Sequence, residues 1–258
     1  MTKLSIATII LTYNEELHIK RCLENAKKFS QQIFIIDSFS TDKTLEIAKQ
    51  EGAFVLQNKW ENSYAKQFNW ALKNCPIKTK WILRLDADEY LYDDTINELN
   101  EKLKDLPLNI TSLSMELDCI WLNKKMKFGT GKVILKRIFR TGSGKCEERL
   151  MDEHIETSGD NLQLSGKFVD ENLNNLSWWA HKHVNYAVRE AADLLNIEFG
   201  ILPLCNNDLA LNEEAKNKRN KKRIYAKLPL FWRAFAYFIY RYFFRHDRAH
   251  RLPLLQHP

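Results

Sequence analysis

The chain has 258 residues, 45% of them hydrophobic, which is enough for one substantial α/β domain and too little for two full ones. Its formal charge of +6 is uneven: residues 213–258 carry 12 Lys/Arg against 3 Asp/Glu, so a slightly acidic body precedes a strongly basic tail. Five widely spaced cysteines without a Cys-x-x-Cys pair exclude a disulfide framework or cysteine zinc site, and the short apolar N-terminal stretch excludes a signal peptide or membrane span, so a cytoplasmic location is expected.

From Leu4 to about Leu103 short apolar runs alternate with helical patterns. Leu4–Leu11, Ile33–Ile36, Ala53–Leu56 and Trp81–Leu85 read as buried strands. Between them Ile19, Leu23 and Ala26, then Leu45 and Ala48, then Phe68, Ala71 and Leu72 are spaced as helix faces. This order predicts a mostly parallel sheet with helices on both faces. From about Thr111 to Val169 longer strand-like pieces, Ser112–Leu122 and Lys132–Phe139, are divided by glycine-containing turns, which predicts a mixed, partly antiparallel second half. After Leu176 the chain reads helical. The expected organisation is a domain over 1–212, split into a first half (1–104) and a mixed second half (105–212), followed by a helical tail over 213–258.

In an open parallel sheet the loops leaving the carboxyl ends of the strands converge on one crevice. Three such exits are polar: Thr12-Tyr13-Asn14-Glu15, Asp37-Ser38-Phe39-Ser40-Thr41-Asp42 and Asp86-Ala87-Asp88-Glu89. Each has a plainer reading. Thr12 and Glu15 fit a capping box, Ser40 or Thr41 would cap the next helix, and acidic residues commonly open helices. Their coincidence at three strand ends of one sheet favours a site. Asp86 and Asp88, one residue apart after an apolar strand, offer hard oxygen ligands to Mg²⁺ or Mn²⁺. Asp37 is suited to accept from a ring N–H of a pyrimidine. Neither a P-loop nor a Gly-x-Gly-x-x-Gly fingerprint is present.

In this order the segments Ile9–Glu16, Ile35–Thr44 and Trp81–Glu89 resemble glycosyltransferase family 2 of the GT-A fold, nearest in type to enzymes of lipopolysaccharide-core, capsule and exopolysaccharide assembly. The resemblance covers roughly residues 4–245, and it implies that 1–104 is the nucleotide-sugar-binding half and 105–212 the acceptor-binding half of a glycosyltransferase domain. It implies an inverting, metal-dependent transferase. Thr12, Asn14, Glu15, Asp37 and Ser38 would hold the nucleotide of a UDP-sugar, with Asp86 and Ala87 on the sugar or ribose side. Asp88 would be the principal ligand, with Asp86, of a Mn²⁺ or Mg²⁺ cofactor. Lys66 and Asn69 match a helix over the donor; an exposed Lys and a solvated Asn on an amphipathic helix is the alternative.

Lys136-Arg137-Ile138-Phe139-Arg140 resembles the family's strand before the acceptor loop, and strand alternation puts Arg137 and Phe139 on one face. Arg149-Leu150-Met151-Asp152-Glu153-His154 resembles the acidic motif that supplies a general base. Glu153 is the first candidate and Asp152 the second, with His154 or the Asp170-Glu171 pair next. Trp178 and Trp179 would form an acceptor platform and His181 and His183 would reach phosphate or metal; a buried Trp pair with surface histidines is the other reading. The Gln-x-x-Arg-Trp element of processive synthases is absent, which favours single additions.

The tail combines seven basic residues in Lys216–Lys227 with nine aromatics in Phe231–Arg245. It suits the anionic inner face of a membrane, giving a peripheral protein; packing on the domain or on a second copy as a homodimer stays open. Nucleic acid is not an expected partner. Expected partners are the UDP-sugar donor and a lipid-linked or lipopolysaccharide-type glycan acceptor. A sugar nucleotidyltransferase and a catalytically silent membrane-associated binding module are the competing functions. After Arg245 the chain departs from the family's pattern, reading His246-Asp247-Arg248-Ala249-His250-Arg251.

Overall fold

The structure, a computed structural model, describes residues 3–126, 132–148, 153–201, 220 and 224–244. In chain order the first half comprises β1 (Leu4–Thr12), α1 (Ile19–Ala26), β2 (Ser30–Asp37), α2 (Thr44–Gln50), β3 (Phe54–Gln57), α3 (Tyr64–Asn74), β4 (Trp81–Asp86), β5 (Glu89–Leu91) and α4 (Asp93–Lys102). The second comprises β6 (Ile110–Trp121), β7 (Lys124–Lys125), β8 (Ile134–Arg140), β9 (Gly144–Cys146), β10 (Ile155–Thr157), β11 (Asp160–Glu171), α5 (Leu176–Phe199) and α6 (Leu230–Ile239), which runs into a π-helical turn at Tyr240–Phe244.

One sheet spans both halves in the order β3-β2-β1-β4-β8-β6-β11-β5, with β7 on β6. β3, β2, β1 and β4 are parallel. β8 joins antiparallel to β4 and β6, and β11 pairs parallel to β6. The architecture is the expected α/β one, a mainly parallel half, a mixed half and a C-terminal helix, and β4–β8 pairing makes the two halves one sheet.

The period-2 apolar pattern explains the two cores. Ile6 and Ile10 of β1 and Leu83 and Leu85 of β4 face α1, α2 and α4 together with Ile19, Leu23, Ala48, Ile96 and Leu99. Ala7 and Ile9 face the other way, with Phe34, Ile82 and Phe139, under Ala65, Phe68 and Ala71 of α3 and the β9–β10 pair. Burial on both faces is why these strands are apolar throughout.

Three local expectations are corrected. Thr12 and Glu15 form no capping box: α1 starts at Ile19 after His18, which makes no side-chain cap, and the Thr12 hydroxyl bonds to Asp37 instead. The acidic turn after β4 leads first into β5, which pairs with β11 at the sheet edge, before α4 begins. Arg137 and Phe139 do not share a face. The β6–β8 register shifts between Leu113 and Ser114, leaving Arg137 as the extra residue of a bulge. Arg137 thereby lies against Glu89 and the Phe168 ring, on the side where Ile138 packs, while Phe139 meets Phe68 on the opposite side.

Candidate active site

The loops leaving β1 and β2 are stitched to each other by polar contacts. Asn14, at a left-handed φ of 55°, donates its N–H to Ser40 Oγ and accepts the Thr41 N–H on its side-chain oxygen, both at 2.8 Å. The Glu15 N–H reaches Thr44 Oγ1 at 2.7 Å, and Glu16 and the Asp42–Lys43 segment exchange bonds at 3.1 Å. Asp37 is the knot. Fully buried, its carboxylate accepts from the Thr12 hydroxyl, the Ser40 N–H and hydroxyl, and Gln57 Nε2. Ser38 accepts from Gln67 Nε2 of α3 at 3.1 Å, which ties that helix to the same edge.

At the end of β4 the Asp86-Ala87-Asp88 turn is fixed by groups from four other elements. Buried Glu89 accepts the Asp86 N–H at 2.9 Å and pairs with Arg137. Arg137 also lies 3.5 Å from the Asp86 carboxylate, and Arg84 lies 3.9 Å from it on the other side. Enclosure by protein opposes ionisation of Asp86, but Arg137, Arg84 and Lys182 outweigh it and hold its carboxyl below the usual range. Arg21 of α1 bonds the Asp88 and Glu171 carbonyls and the Glu171 carboxylate, locking the end of β11 against the turn. Asn172 donates to Asp88 Oδ2 at 3.0 Å.

Asp170 and Glu15 join this carboxylate group. Burial first, then the charges of Asp88 and Asp86, push Asp170 up to about 7. Burial also raises Glu15, and Asp88 adds to the effect. The Glu15 carboxylate receives a bond from His18 Nδ1 at 2.7 Å, and the Leu173 N–H donates to His18 Nε2 at 2.9 Å. Since Nε2 accepts, the proton of the neutral ring sits on Nδ1. This Glu15–His18–Leu173 chain and the Asn172–Asp88 bond anchor the segment that opens α5.

The stripe of α5 that faces the body is Lys182, Tyr186, Arg189, Asp193 and Asn196. The flanking histidines, about 100° away on either side of Lys182, turn back on their own helix: His181 Nδ1 meets the Ser177 carbonyl at 2.8 Å and His183 Nδ1 the Trp179 carbonyl at 2.9 Å. Trp179 stacks on His183 at 3.6 Å and packs near Trp121 at 5.6 Å, while the Trp178 ring carries Lys182 Nζ at 4.8 Å. Both indoles stay over a third exposed, so they form a shelf and not a buried pair.

The sequence-predicted residues thus divide. Thr12, Asn14, Glu15, Asp37, Ser38, Asp86, Ala87 and Asp88 meet at one sheet edge. Glu153 lies close by, with the Arg84 guanidinium bridging it at 3.8 Å to Asp86. Asp152 and Arg149–Met151 lie outside the described residues. Asn69 spends both ends of its amide on Cys146, clamping α3 to β9, and Lys66 pairs with Glu61 at the surface. Sequence reading missed Arg21, Arg84, Glu89, Asn172 and Lys182. For Arg84 a signal existed, since a lone charge inside the apolar run Trp81–Leu85 must find partners.

An open, mainly parallel sheet with an acidic crevice at its carboxyl edge and a mixed second half is the GT-A architecture. The family described as Glycosyl transferase family 2 matches residues 7–143, more than half of the chain, and the protein belongs to that family. An uncharacterized glycosyltransferase of Rickettsia typhi is 36% identical over 94 residues, 36% of this chain and 31% of the relative. Glycosyltransferase SunS of Bacillus phage SPbeta is 33% identical over 81 residues, 31% of this chain and 19% of the relative. The chain therefore matches about a third or less of the length of these relatives. Among solved structures, mannosyltransferase PcManGT from Pyrobaculum calidifontis, in complex with GDP-Man and Mn²⁺, is 21% identical over 45% of this chain and 36% of that one, with a TM-score of 0.37. Glucosyl-3-phosphoglycerate synthase from Mycobacterium tuberculosis is 17% identical over 44% and 43%, also at 0.37.

The four donors on Asp37 make a prediction that needs no ligand. Each oxygen accepts from two of them, so Asp37→Asn would set an amide N–H₂ against two donors and leave a buried donor unmatched. Unfolding stability in urea should fall by about 1–3 kcal/mol; an unchanged midpoint would show that this carboxylate does not hold the two loops together.

Proposed function

We propose that the protein transfers one sugar at a time, with inversion, from a nucleoside diphosphate sugar to a glycan hydroxyl, with a UDP-sugar as the first candidate donor and Mn²⁺ or Mg²⁺ as cofactor. The observation that carries this reading is the crowding of Glu15, Asp86, Asp88 and Asp170 at the carboxyl edge of the sheet, with Asp170 pushed up to about 7 by burial and by its neighbours' charge. Hard carboxylate oxygens gathered at one edge suit a divalent cation.

The donor set fits. Asp88 gives one oxygen to Asn172 and Asp86 has only long contacts with Arg84 and Arg137, which leaves hard oxygen lone pairs on both. Asp86 and Asp88 would hold the cation; among the described residues no three His, Cys, Asp or Glu side chains form a ready cage. When bound, the cation would supply charge stabilisation to the departing nucleoside diphosphate. The chain supplies the rest. The acceptor oxygen bonds to the anomeric carbon as the bond to diphosphate breaks, and Glu153 takes the hydroxyl proton. Arg84 keeps Glu153 oriented beside Asp86. The Trp178–Trp179 shelf is suited to pack on sugar rings of the acceptor.

The acceptor proposed is a lipid-linked or lipopolysaccharide-, capsule- or exopolysaccharide-type glycan at the inner membrane face. Among the described residues no helix is long and apolar enough to cross a membrane. α6 instead carries a set of rings toward solvent, with Phe231 89% and Trp232 65% exposed, as an interfacial helix would. Arg233 takes no part in this surface: it is buried and bonds Glu198, Leu228 and Ala226. Most of the basic stretch lies outside the described residues.

Three outcomes test the reading, the first two with release of UDP from a panel of UDP-sugars. Asp88→Ala should abolish release and weaken Mn²⁺ binding in calorimetry, as excess chelator should abolish release by the intact protein; full activity in chelator removes the metal. Glu153→Gln should lower turnover by at least about 10²-fold while donor affinity holds within about a few-fold, and Asp152→Asn should do less; the reverse order would exchange their roles. Deleting residues after Asn212 should move the protein off vesicles containing anionic phospholipid, and salt should partly reproduce this by screening. A full-length protein that ignores such vesicles would leave α6 as a packing helix.

A further inference from the structure

The acidic edge by itself would repel a diphosphate, so a donor of that charge needs a cation on its far side. α5 carries one. Lys182 lies half-buried on the body-facing stripe, with Nζ 4.8 Å from the Trp178 ring centre and 5.8 Å from that of Tyr186. Two aromatic faces hold its stem and charge in place. Its charge acts on Glu15, Asp86 and Asp170, so it lies within electrostatic reach of the carboxylate edge. Among the described residues no carboxylate oxygen lies within ion-pair distance of it, and an ammonium has three donors to offer.

The position of Lys182 is also not left to the helix alone. The segment that opens α5 is fastened at the crevice by the Asn172–Asp88 bond and the Leu173–His18–Glu15 chain, and Asn175 caps the helix by accepting the Trp178 N–H at 2.9 Å. One turn on, Tyr186 hydrogen-bonds Tyr64 at the start of α3, which ties the helix to α3.

We infer that Lys182 is the protein's own contact to the donor diphosphate, an ammonium delivered by α5 to phosphate oxygens in the crevice that Asp86 and Asp88 line. This rests on the donor being a nucleoside diphosphate sugar. The neighbouring His181 and His183, bonded to their own helix, leave this task to the residue between them.

The test is direct binding to the full chain, measured by calorimetry with Mn²⁺ present and with UDP and UMP as probes, for wild type, Lys182→Gln and Lys182→Arg, each checked by thermal unfolding. Wild type should prefer UDP to UMP. Lys182→Gln should weaken UDP by about tenfold or more, as loss of a charge-assisted phosphate contact does, while UMP changes by less than about threefold, and Lys182→Arg should recover most of the UDP affinity. Equal loss of UDP and UMP would mark Lys182 as a packing residue and overturn the inference, as would a Lys182→Gln protein that binds UDP like wild type. A wild-type chain that binds neither UDP nor GDP would fail at the earlier step, the donor class.

Discussion

Like charges held close in a protein repel, and Glu15, Asp86, Asp88 and Asp170 are gathered at one sheet edge in spite of it. The ends of β1, β4 and β11 are set by how that repulsion is met. Arg137 and Arg84 face Asp86, Arg21 bonds the backbone at Asp88 and Glu171, neutral His18 bonds Glu15, and Lys182 adds its charge from α5. Asp170, raised by burial first and then by Asp88 and Asp86, still feels its acidic neighbours.

Each cation reaches the crevice by a different route, and the fold supplies those routes. Arg84 sits mid-strand, on the face it shares with Asp86 by strand alternation, so its guanidinium lies over Phe68 and can span to Glu153. Arg137 requires the β8 bulge, because without the extra residue it would follow Phe139 into the opposite core. Arg21 rides on α1 and Lys182 on α5, elements separated by most of the sequence. The apolar packing of the two cores holds β4, β8 and α1, so that side-chain geometry there is inherited from interior contacts on both faces, whereas α5 is fastened by polar bonds at its start.

The loops are organised differently. They bury little apolar surface and are held instead by polar bonds centred on Asp37 and Asn14. A carboxylate with four donors is satisfied before any ligand arrives, so Asp37 acts first as the fastener of the loop floor. The same economy appears in Asn69, whose amide is consumed in clamping β9, the strand that leads toward the segment bearing Glu153. Residues that the family resemblance marks for the donor thus also preorganise the walls around it.

What the sequence by itself determined here is local. The apolar runs at β1 to β4 and the helix faces between them follow from period-2 and period-3.6 patterns, and the carboxylates at strand ends follow from where those runs stop. The tertiary structure alone decided which partners those carboxylates meet. Arg21 and Glu171 are 150 positions apart, and His18 and Leu173 are 155 apart, so no window along the chain contains either pair. The bulge at Arg137 is likewise invisible in the alternation that it breaks, because it is set by pairing of β8 with β6. Sequence periodicity reports which way a side chain points relative to its own backbone; charge compensation depends on distances between elements, and those exist only once both faces of the sheet are packed.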